Sequence, residues 1–173
     1  FNRKIIRNAE MAIEVEEPAP AQQRISSIAE SNGGFIVTSE IRQSGSSYTN
    51  VTITMRVPAD RFGAAVEAIR TGGGTVTREK ITGQDVTEEY IDLEARIRTK
   101  VALEQQFLEI MKQAKSVSDA LEVQTQIANV RTEIERLEGR KRFLENQSSL
   151  STITVTISSP TPVVRREASG FMA

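Results

Sequence analysis

Five carboxylates stand close together in the segment DVTEEYIDLE, which starts at Asp85. They are Asp85, Glu88, Glu89, Asp92 and Glu94. Paired carboxylates serve as general acid and base in glycoside hydrolysis, and carboxylate oxygens are ligands for Ca²⁺. However, a sugar cleft needs aromatic walls, and the chain has no Trp, two Tyr and six Phe. The acidic spacing also does not fit a calcium loop of the EF-hand type.

The same carboxylates suit the start of a helix near Thr87. Acidic side chains in a first turn complement the helix dipole, and Arg96, Arg98 and Lys100 follow as partners three or four residues on. We therefore interpret the cluster mainly as a helix start. Asp85, Glu88 and Asp92 are the candidates for contact with a small ligand or an ion.

Composition excludes most other chemistry. The 173 residues include no His and no Cys, which rules out Ser-His-Asp triads, cysteine nucleophiles and conventional zinc or copper sites. A formal net charge of −1 does not fit a nucleic-acid binder. We predict a non-enzymatic protein with no catalytic residue, cofactor, metal or nucleic-acid partner, and we keep a hydrolase using the acidic cluster as a third interpretation.

The elements around the cluster begin with a repeat. A strand, a helix and a second strand occur twice, because Pro18 matches Pro58 and Gly33 matches Gly73. The glycines follow helices rather than strands, so they indicate helix ends and not phosphate loops. The repeat predicts an α+β fold with a ferredoxin-like βαββαβ sheet, two helices on one face, and strands one and three side by side in the centre.

Two long helices follow, from Glu88 to about Ala114 and from about 116 to 148. Ser116 and Asp119 resemble a capping box, and the second helix has the heptad spacing of a coiled coil. We predict an antiparallel coiled-coil hairpin that stands away from the sheet. Its interface is expected to place Leu103, Phe107 and Ile110 against Ile127, Val130 and Ile134. Gly139 is predicted to admit close approach of the first helix.

The segment LSTITVTISS then predicts a fifth strand that rejoins the sheet at an edge. The second face of the sheet is expected to show Thr52, Thr54, Thr152, Thr154 and Thr156, with Glu10 and Glu14. It is either a solvated face or a surface for a protein partner. The domains are thus 1–86 plus 150–159 for the sheet, 87–149 for the hairpin, and 160–173 for a flexible linker.

The chain resembles a family of bacterial envelope proteins grouped as domain of unknown function number 4349. The resemblance covers about Lys4 to Ile157 and rests on Tyr90-x-Asp92-Leu93-Glu94-Ala95-Arg96 and on the second long helix running into LSTITVTI. It implies a lipoprotein or membrane protein whose domain lies outside the cytoplasm, commonly followed by a transmembrane helix. The family also emphasises an Asp at this junction, here Asp92.

Two functional hypotheses follow. The first is an extracytoplasmic interaction domain, anchored through segments outside this chain, that contacts a protein partner or itself through the hairpin or the Thr-rich face. The alternative is a sensor that binds a small ligand or ion at the sheet–hairpin junction. We expect Asp92→Asn to lower thermal stability modestly without removing an activity, and the gene to continue into about 20 apolar residues.

Overall fold

The computed structural model describes residues 2–44 and 48–160, which form five strands and four α-helices. The elements are β1 (Ile5–Glu14), α1 (Pro18–Ser31), β2 (Phe35–Ser44), β3 (Tyr48–Pro58), a 3₁₀ turn (Ala59–Arg61), α2 (Phe62–Thr71), β4 (Thr75–Asp85), α3 (Thr87–Lys112), α4 (Val117–Ser149) and β5 (Leu150–Ser158). This confirms the α+β class and the repeated strand–helix–strand order. Residues 45–47 and nearly all of the predicted linker, 161–173, lie outside the described residues.

The chain divides into two compact units. One contains residues 2–6 and Gly83–Ser149, and thus both long helices. The other contains Arg7–Thr82 and 150–160, and thus most of the sheet with α1 and α2. Residues 2–6 and 83–86, which the sequence assigned to the sheet domain, group with the long helices.

The strand order of the sheet is β2-β3-β5-β1-β4. The prediction that β1 and β3 are neighbours is therefore wrong, and so is the prediction that β5 lies at an edge. β5 pairs in parallel with β1, from Asn8 opposite Thr152 onward, and antiparallel with β3, where Thr54 is opposite Thr154. A central position lets β5 bury its apolar row and pair both of its backbone edges, an arrangement that periodicity along the chain does not encode.

One apolar core fills the sheet unit, because the strands turn alternate side chains toward α1 and α2. Its buried members are Ala9, Met11 and Ile13 of β1; Val51, Ile53, Met55 and Val57 of β3; Ile153, Val155 and Ile157 of β5; Ala21, Ile25 and Ala29 of α1; and Phe62, Ala65, Val66 and Ile69 of α2. Helical spacing of apolar residues in the sequence predicts a core stripe for each of these helices, and the structure confirms both. The stripes are Ala21, Ile25, Ile28 and Ala29 in α1, where Ile28 is partly buried, and Phe62, Ala65, Val66 and Ile69 in α2.

The two long helices contact each other and run antiparallel. Ser116 caps α4, since its Oγ accepts a hydrogen bond from the backbone N–H of Asp119 at 3.1 Å, as predicted. Val86, Leu93 and Leu144 form a small buried cluster at the other end of the pair. Among the described residues, none of the helices is both long enough and apolar enough to span a membrane.

Two glycines act at helix ends as the sequence predicts, whereas a third does not play its expected role. Gly33 has φ +76°, and the N–H of Gly34 donates to Ala29 O at 2.8 Å, which closes α1. Gly139 was expected to admit α3, but a Cβ there would meet only Arg142 Nη2, at 3.9 Å. The explanation by close approach of α3 is therefore wrong.

Candidate functional site

Asp85 anchors the start of α3. Its Oδ1 accepts hydrogen bonds from the backbone N–H of Thr87 at 3.0 Å and from the Thr87 hydroxyl at 2.6 Å. Its Oδ2 accepts from Arg3 Nη1 at 3.1 Å. The bonds from Thr87, then the Arg3 cation, hold the pKa of Asp85 below its ordinary value. Asp85 therefore satisfies one of the N–H groups that a helix start leaves unpaired.

Thr87 connects that cap to the beginning of the chain. Its hydroxyl donates to Asp85 and accepts a hydrogen bond from the backbone N–H of Lys4 at 2.8 Å. The N–H of Val86 donates to Lys4 O at 2.8 Å. Residues 3 and 4 are thus tied to the helix start by side-chain and backbone bonds. No local sequence signal predicts this role, because the partners are more than eighty positions apart.

Three of the other carboxylates hold cations of the same chain. Asp92 accepts a hydrogen bond from Arg96 at 2.8 Å, as predicted. Glu89 accepts one from Arg140 at 2.8 Å, and Glu94 lies 4.0 Å from Lys141. These are the contacts of a helix start and of a helix pair. They leave Glu88 as the acidic side chain of the cluster for which no cation partner is found among the described residues.

An open pocket of about 510 Å³ lies at this helix start. Its lining residues are Arg3, Asp85, Thr87, Glu88 and Ile91. Two of the three predicted contact residues, Asp85 and Glu88, come together there, whereas Asp92 is not part of the lining. In the described ranges, no group of three or more acidic side chains is arranged to hold a metal ion. A ligand of this pocket would meet one engaged carboxylate, one available carboxylate and a guanidinium.

Tyr90 lies in a charged environment that the sequence did not predict. Its hydroxyl donates to Glu145 of α4, and the ammonium groups of Lys4 and Lys141 lie 4.9 and 5.4 Å from its ring centroid. The hydrogen bond to Glu145, with burial and nearby negative charge, raises the pKa of Tyr90 to about 12. Tyr90 therefore stays protonated at neutral pH and links α3 to α4.

Two ion pairs between α3 and α4 show which residues of the two helices lie side by side. Lys100 Nζ lies 2.7 Å from Glu133, and Glu104 accepts a hydrogen bond from Arg131 at 2.9 Å. This register brings Phe107 level with Ile127 and Leu103 level with Val130, while Ile110 lies about one turn beyond Ile127.

Burial within the predicted hairpin interface is uneven. Ile127 and Val130 are buried, Leu103, Phe107 and Ile134 are half-buried, and Ile110 is 50% exposed. The side-chain pairing that we predicted across the hairpin stays a prediction.

The Thr-rich face of the sheet is a ladder across two neighbouring strands. Thr52 is opposite Thr156, and Thr54 is opposite Thr154, which is in turn opposite Glu10 of β1. The five Thr of the predicted face are half-buried, while Glu10 and Glu14 are exposed. A cavity of about 310 Å³ on this face is lined by Asn8, Ala9, Glu10, Lys80, Thr82, Thr152 and Thr154. It offers hydroxyl groups and charges of both signs, and the role of this face stays a prediction.

Comparisons with known proteins place the chain by family alone. No curated protein and no solved structure matches it significantly. A family model described as Domain of unknown function (DUF4349) matches residues 3–173. Because that match covers nearly the whole sequence, the chain belongs to the DUF4349 family.

Proposed function

We propose that this chain is an extracytoplasmic, non-enzymatic interaction domain of a membrane-anchored bacterial envelope protein, and that the helical hairpin is its contact element. The observation that carries the proposal is the exposure of large apolar side chains on the hairpin. Val117 is 77% exposed and Leu121 is 63% exposed at the start of α4, and Ile110 is 50% exposed near the end of α3. Clustered apolar side chains on a polar helix pair favour contact with another macromolecule.

The form of the two units fits that role. The heptad spacing of α4 and the cross-helix ion pairs support a coiled-coil seam between α3 and α4. We also interpret the sheet as a ferredoxin-like plan with one insertion, since removal of β5 from the observed order would leave β2-β3-β1-β4. In this view, the hairpin is an insertion that carries the contact surface, and β5 is the strand that follows it directly in the chain.

The contacts of the acidic cluster favour a structural role over a catalytic one. Four of its five carboxylates already hold cations of the same chain. A general acid or base needs a carboxyl group that faces a substrate site, and Glu88 alone is available for that at the helix start. We therefore assign the cluster to the helix start and the helix pair, and no reaction to the chain.

Labelling of a single introduced cysteine tests the proposed extracytoplasmic location, because the chain has no Cys of its own. The complete gene with Ile41→Cys is expressed in a bacterium, and spheroplasts are treated with a maleimide that does not cross the inner membrane. Ile41 is 56% exposed on β2, away from the hairpin along the chain, and we expect its thiol to be labelled before the inner membrane is opened. Leu144→Cys is the matched control, since Leu144 is fully buried and its thiol should react only after denaturation. Labelling of Ile41→Cys only after the inner membrane is permeabilised contradicts the proposal.

The pocket at the start of α3 favours a second candidate, a sensor that binds a small ligand or ion there. Glu88 supplies the available carboxylate of that pocket. Thermal unfolding is measured with and without Ca²⁺ and Mg²⁺, for the parent chain and for Glu88→Gln. A concentration-dependent rise in Tm that Glu88→Gln abolishes supports ion sensing. Identical curves with and without either cation remove the cation form of this candidate.

A further inference from the structure

Gly139 has no structural purpose within its own chain. It lies inside α4, where glycine is less favourable than Ala because it loses more backbone entropy. An added Cβ would meet only the end of the flexible Arg142 side chain. Its backbone φ is not positive either, so no turn or close approach within the described chain requires glycine here. An approach from outside the chain would give glycine at this position, in the middle of a long helix, a role that its own chain does not supply.

Exposed apolar side chains share one face of α4 with Gly139, and the exposed Glu135 lies on that face one turn before it. Val117, Leu121, Ala128, Gly139 and Phe143 follow one another in steps of four, seven, eleven and four residues, which are close to whole numbers of helical turns. They define the outer face of α4, opposite the side that carries the buried Ile127 and Val130. Val117, Leu121 and Phe143 are 77%, 63% and 48% exposed, and Ala128 is exposed as well. Three exposed large apolar residues on one helical face are suited to packing against another helix.

The outer face is complementary to itself. If two copies of α4 run antiparallel about a two-fold axis near residue 130, Leu121 of one copy is level with Gly139 of the other. In the same register Val117 is level with Phe143, and Ala128 is level with Thr132. Each large side chain therefore faces a small residue or an apolar one. A two-fold interface requires this reciprocity, because every contact is made twice.

Charge supports the same register. Glu122 flanks the outer face in the first half of α4, and it has no ion pair among the described residues. Arg136 flanks the same side in the second half and has no ion pair among the described residues, whereas Arg140 on that side already holds Glu89. The antiparallel register brings Glu122 of one copy level with residue 138 of the other, two positions from Arg136. Opposite charges at flanking positions favour one register and orientation of a helix pair.

We infer that the outer face of α4 binds the same face of a second copy of this chain, as an antiparallel two-fold dimer in which Leu121 packs over Gly139. This inference rests on the proposed interaction function and names its partner. A glycine in the hole lets the two helix backbones come close, which explains a residue that otherwise only weakens α4.

Mass in solution tests the dimer. Sedimentation of the 173-residue chain is expected to show a species of about twice 19.1 kDa that dissociates on dilution. Gly139→Leu fills the hole and should raise the dissociation constant by at least about tenfold, while circular dichroism shows unchanged or higher helicity. Gly63→Leu is the matched control, because Gly63 is also a helical glycine with open space around it, and it should leave the dissociation constant unchanged.

Disulfide formation tests the register. In a chain carrying both Leu121→Cys and Gly139→Cys, the two thiols lie about 27 Å apart along one helix, so they cannot pair within a chain. Oxidation should therefore yield covalent dimers efficiently. A chain with Leu121→Cys and Val101→Cys also carries two exposed positions, since Val101 on α3 is 39% exposed, and it should yield few.

The outcomes separate the dimer from the broader proposal. A species of 19.1 kDa at all concentrations, or a dimer whose dissociation constant ignores Gly139→Leu, overturns the dimer. Efficient crosslinking of the Val101 control also overturns it, because the register would then be nonspecific. The maleimide test uses Ile41→Cys on β2, which is not part of the outer face of α4, so the extracytoplasmic location is tested independently of the dimer.

Discussion

At the scale of single residues, Asp85 and Asp92 show how two acidic side chains in one cluster differ in effect. Asp85 accepts three hydrogen bonds at the helix start, two from Thr87 and one from Arg3. Asp92 accepts one hydrogen bond, from Arg96, and the side chains of Asp92 and Arg96 are each more than half exposed. The resemblance to the family draws attention to Asp92, yet the geometry concentrates the bonding at Asp85.

The pKa of Asp85 makes stability depend on acid pH. Since its pKa in the folded chain is below the ordinary 3.8, its charged form stabilises the fold above that value, and the contribution disappears as pH falls through the lower folded pKa. Asp85→Asn should lower Tm by a few degrees at neutral pH and flatten the dependence of Tm on pH below about 4. Thermal unfolding followed from neutral to acid pH checks this. An unchanged acid slope in the variant would assign the effect to other carboxylates.

Asp92→Asn should have a much smaller effect. The carboxylate makes an exposed ion pair one helical turn from Arg96, and such pairs contribute about 0.3–0.5 kcal/mol. Chemical denaturation should show a loss of that size, and Arg96→Gln should show a similar loss. Values far above this range in either variant would indicate a role for Asp92 beyond the ion pair.

At the scale of elements, Gly139 is the weak point of α4. Gly139→Ala should stabilise the helix by about 1 kcal/mol, because Ala has the higher helix propensity and its Cβ meets only Arg142 Nη2, at 3.9 Å. Urea unfolding followed by helical circular dichroism, at dilution where the chain is monomeric, measures the change. Gly34→Ala is the opposite case, because its Cβ would clash with Arg56 O, and it should destabilise the chain strongly. A loss of stability in Gly139→Ala would contradict the open surroundings of this position.

The pairing of α3 with α4 is tested by exchange of charges. Glu104 and Arg131 form a cross-helix ion pair in which the Glu104 side chain is only 16% exposed. Arg131→Glu places two carboxylates together and should lower stability by about 0.5–1 kcal/mol, and adding Glu104→Arg should restore it. A double-mutant cycle from urea unfolding measures the coupling. Additive effects of the two substitutions would argue against this antiparallel register.

At the scale of the whole molecule, β5 joins parts of the chain that are far apart in sequence. It follows α4 and lies between β3 and β1, with Ile153, Val155 and Ile157 fully buried. A chain that ends at residue 149 therefore loses the centre of its sheet, and we expect it to lose cooperative unfolding and the protected amides of β1 and β3. A chain that ends at residue 160 keeps every described helix and strand and serves as the control. Hydrogen exchange checks both, and a native exchange pattern in the shorter chain would show that the sheet does not need β5.

The sequence by itself determined the features that depend on near neighbours. The period of apolar residues identified the core faces of α1 and α2, Ser116 marked the start of α4, and Gly33 and Gly34 marked the end of α1. It also placed Asp85 and Glu88 among the candidate contact residues, and both line the pocket at the start of α3. These signals are readable because the bonds behind them join residues within a few positions of each other.

Only the tertiary structure decided which distant residues meet. β5 lies in the centre of the sheet rather than at an edge, Lys4 binds the start of α3, and Tyr90 binds Glu145. The surroundings of Gly139 were likewise visible only in three dimensions. The physical reason is that strand neighbours and side-chain partners are selected by the burial of apolar rows and the pairing of backbone groups. Both depend on proximity in space, and separation along the chain carries almost no information about them.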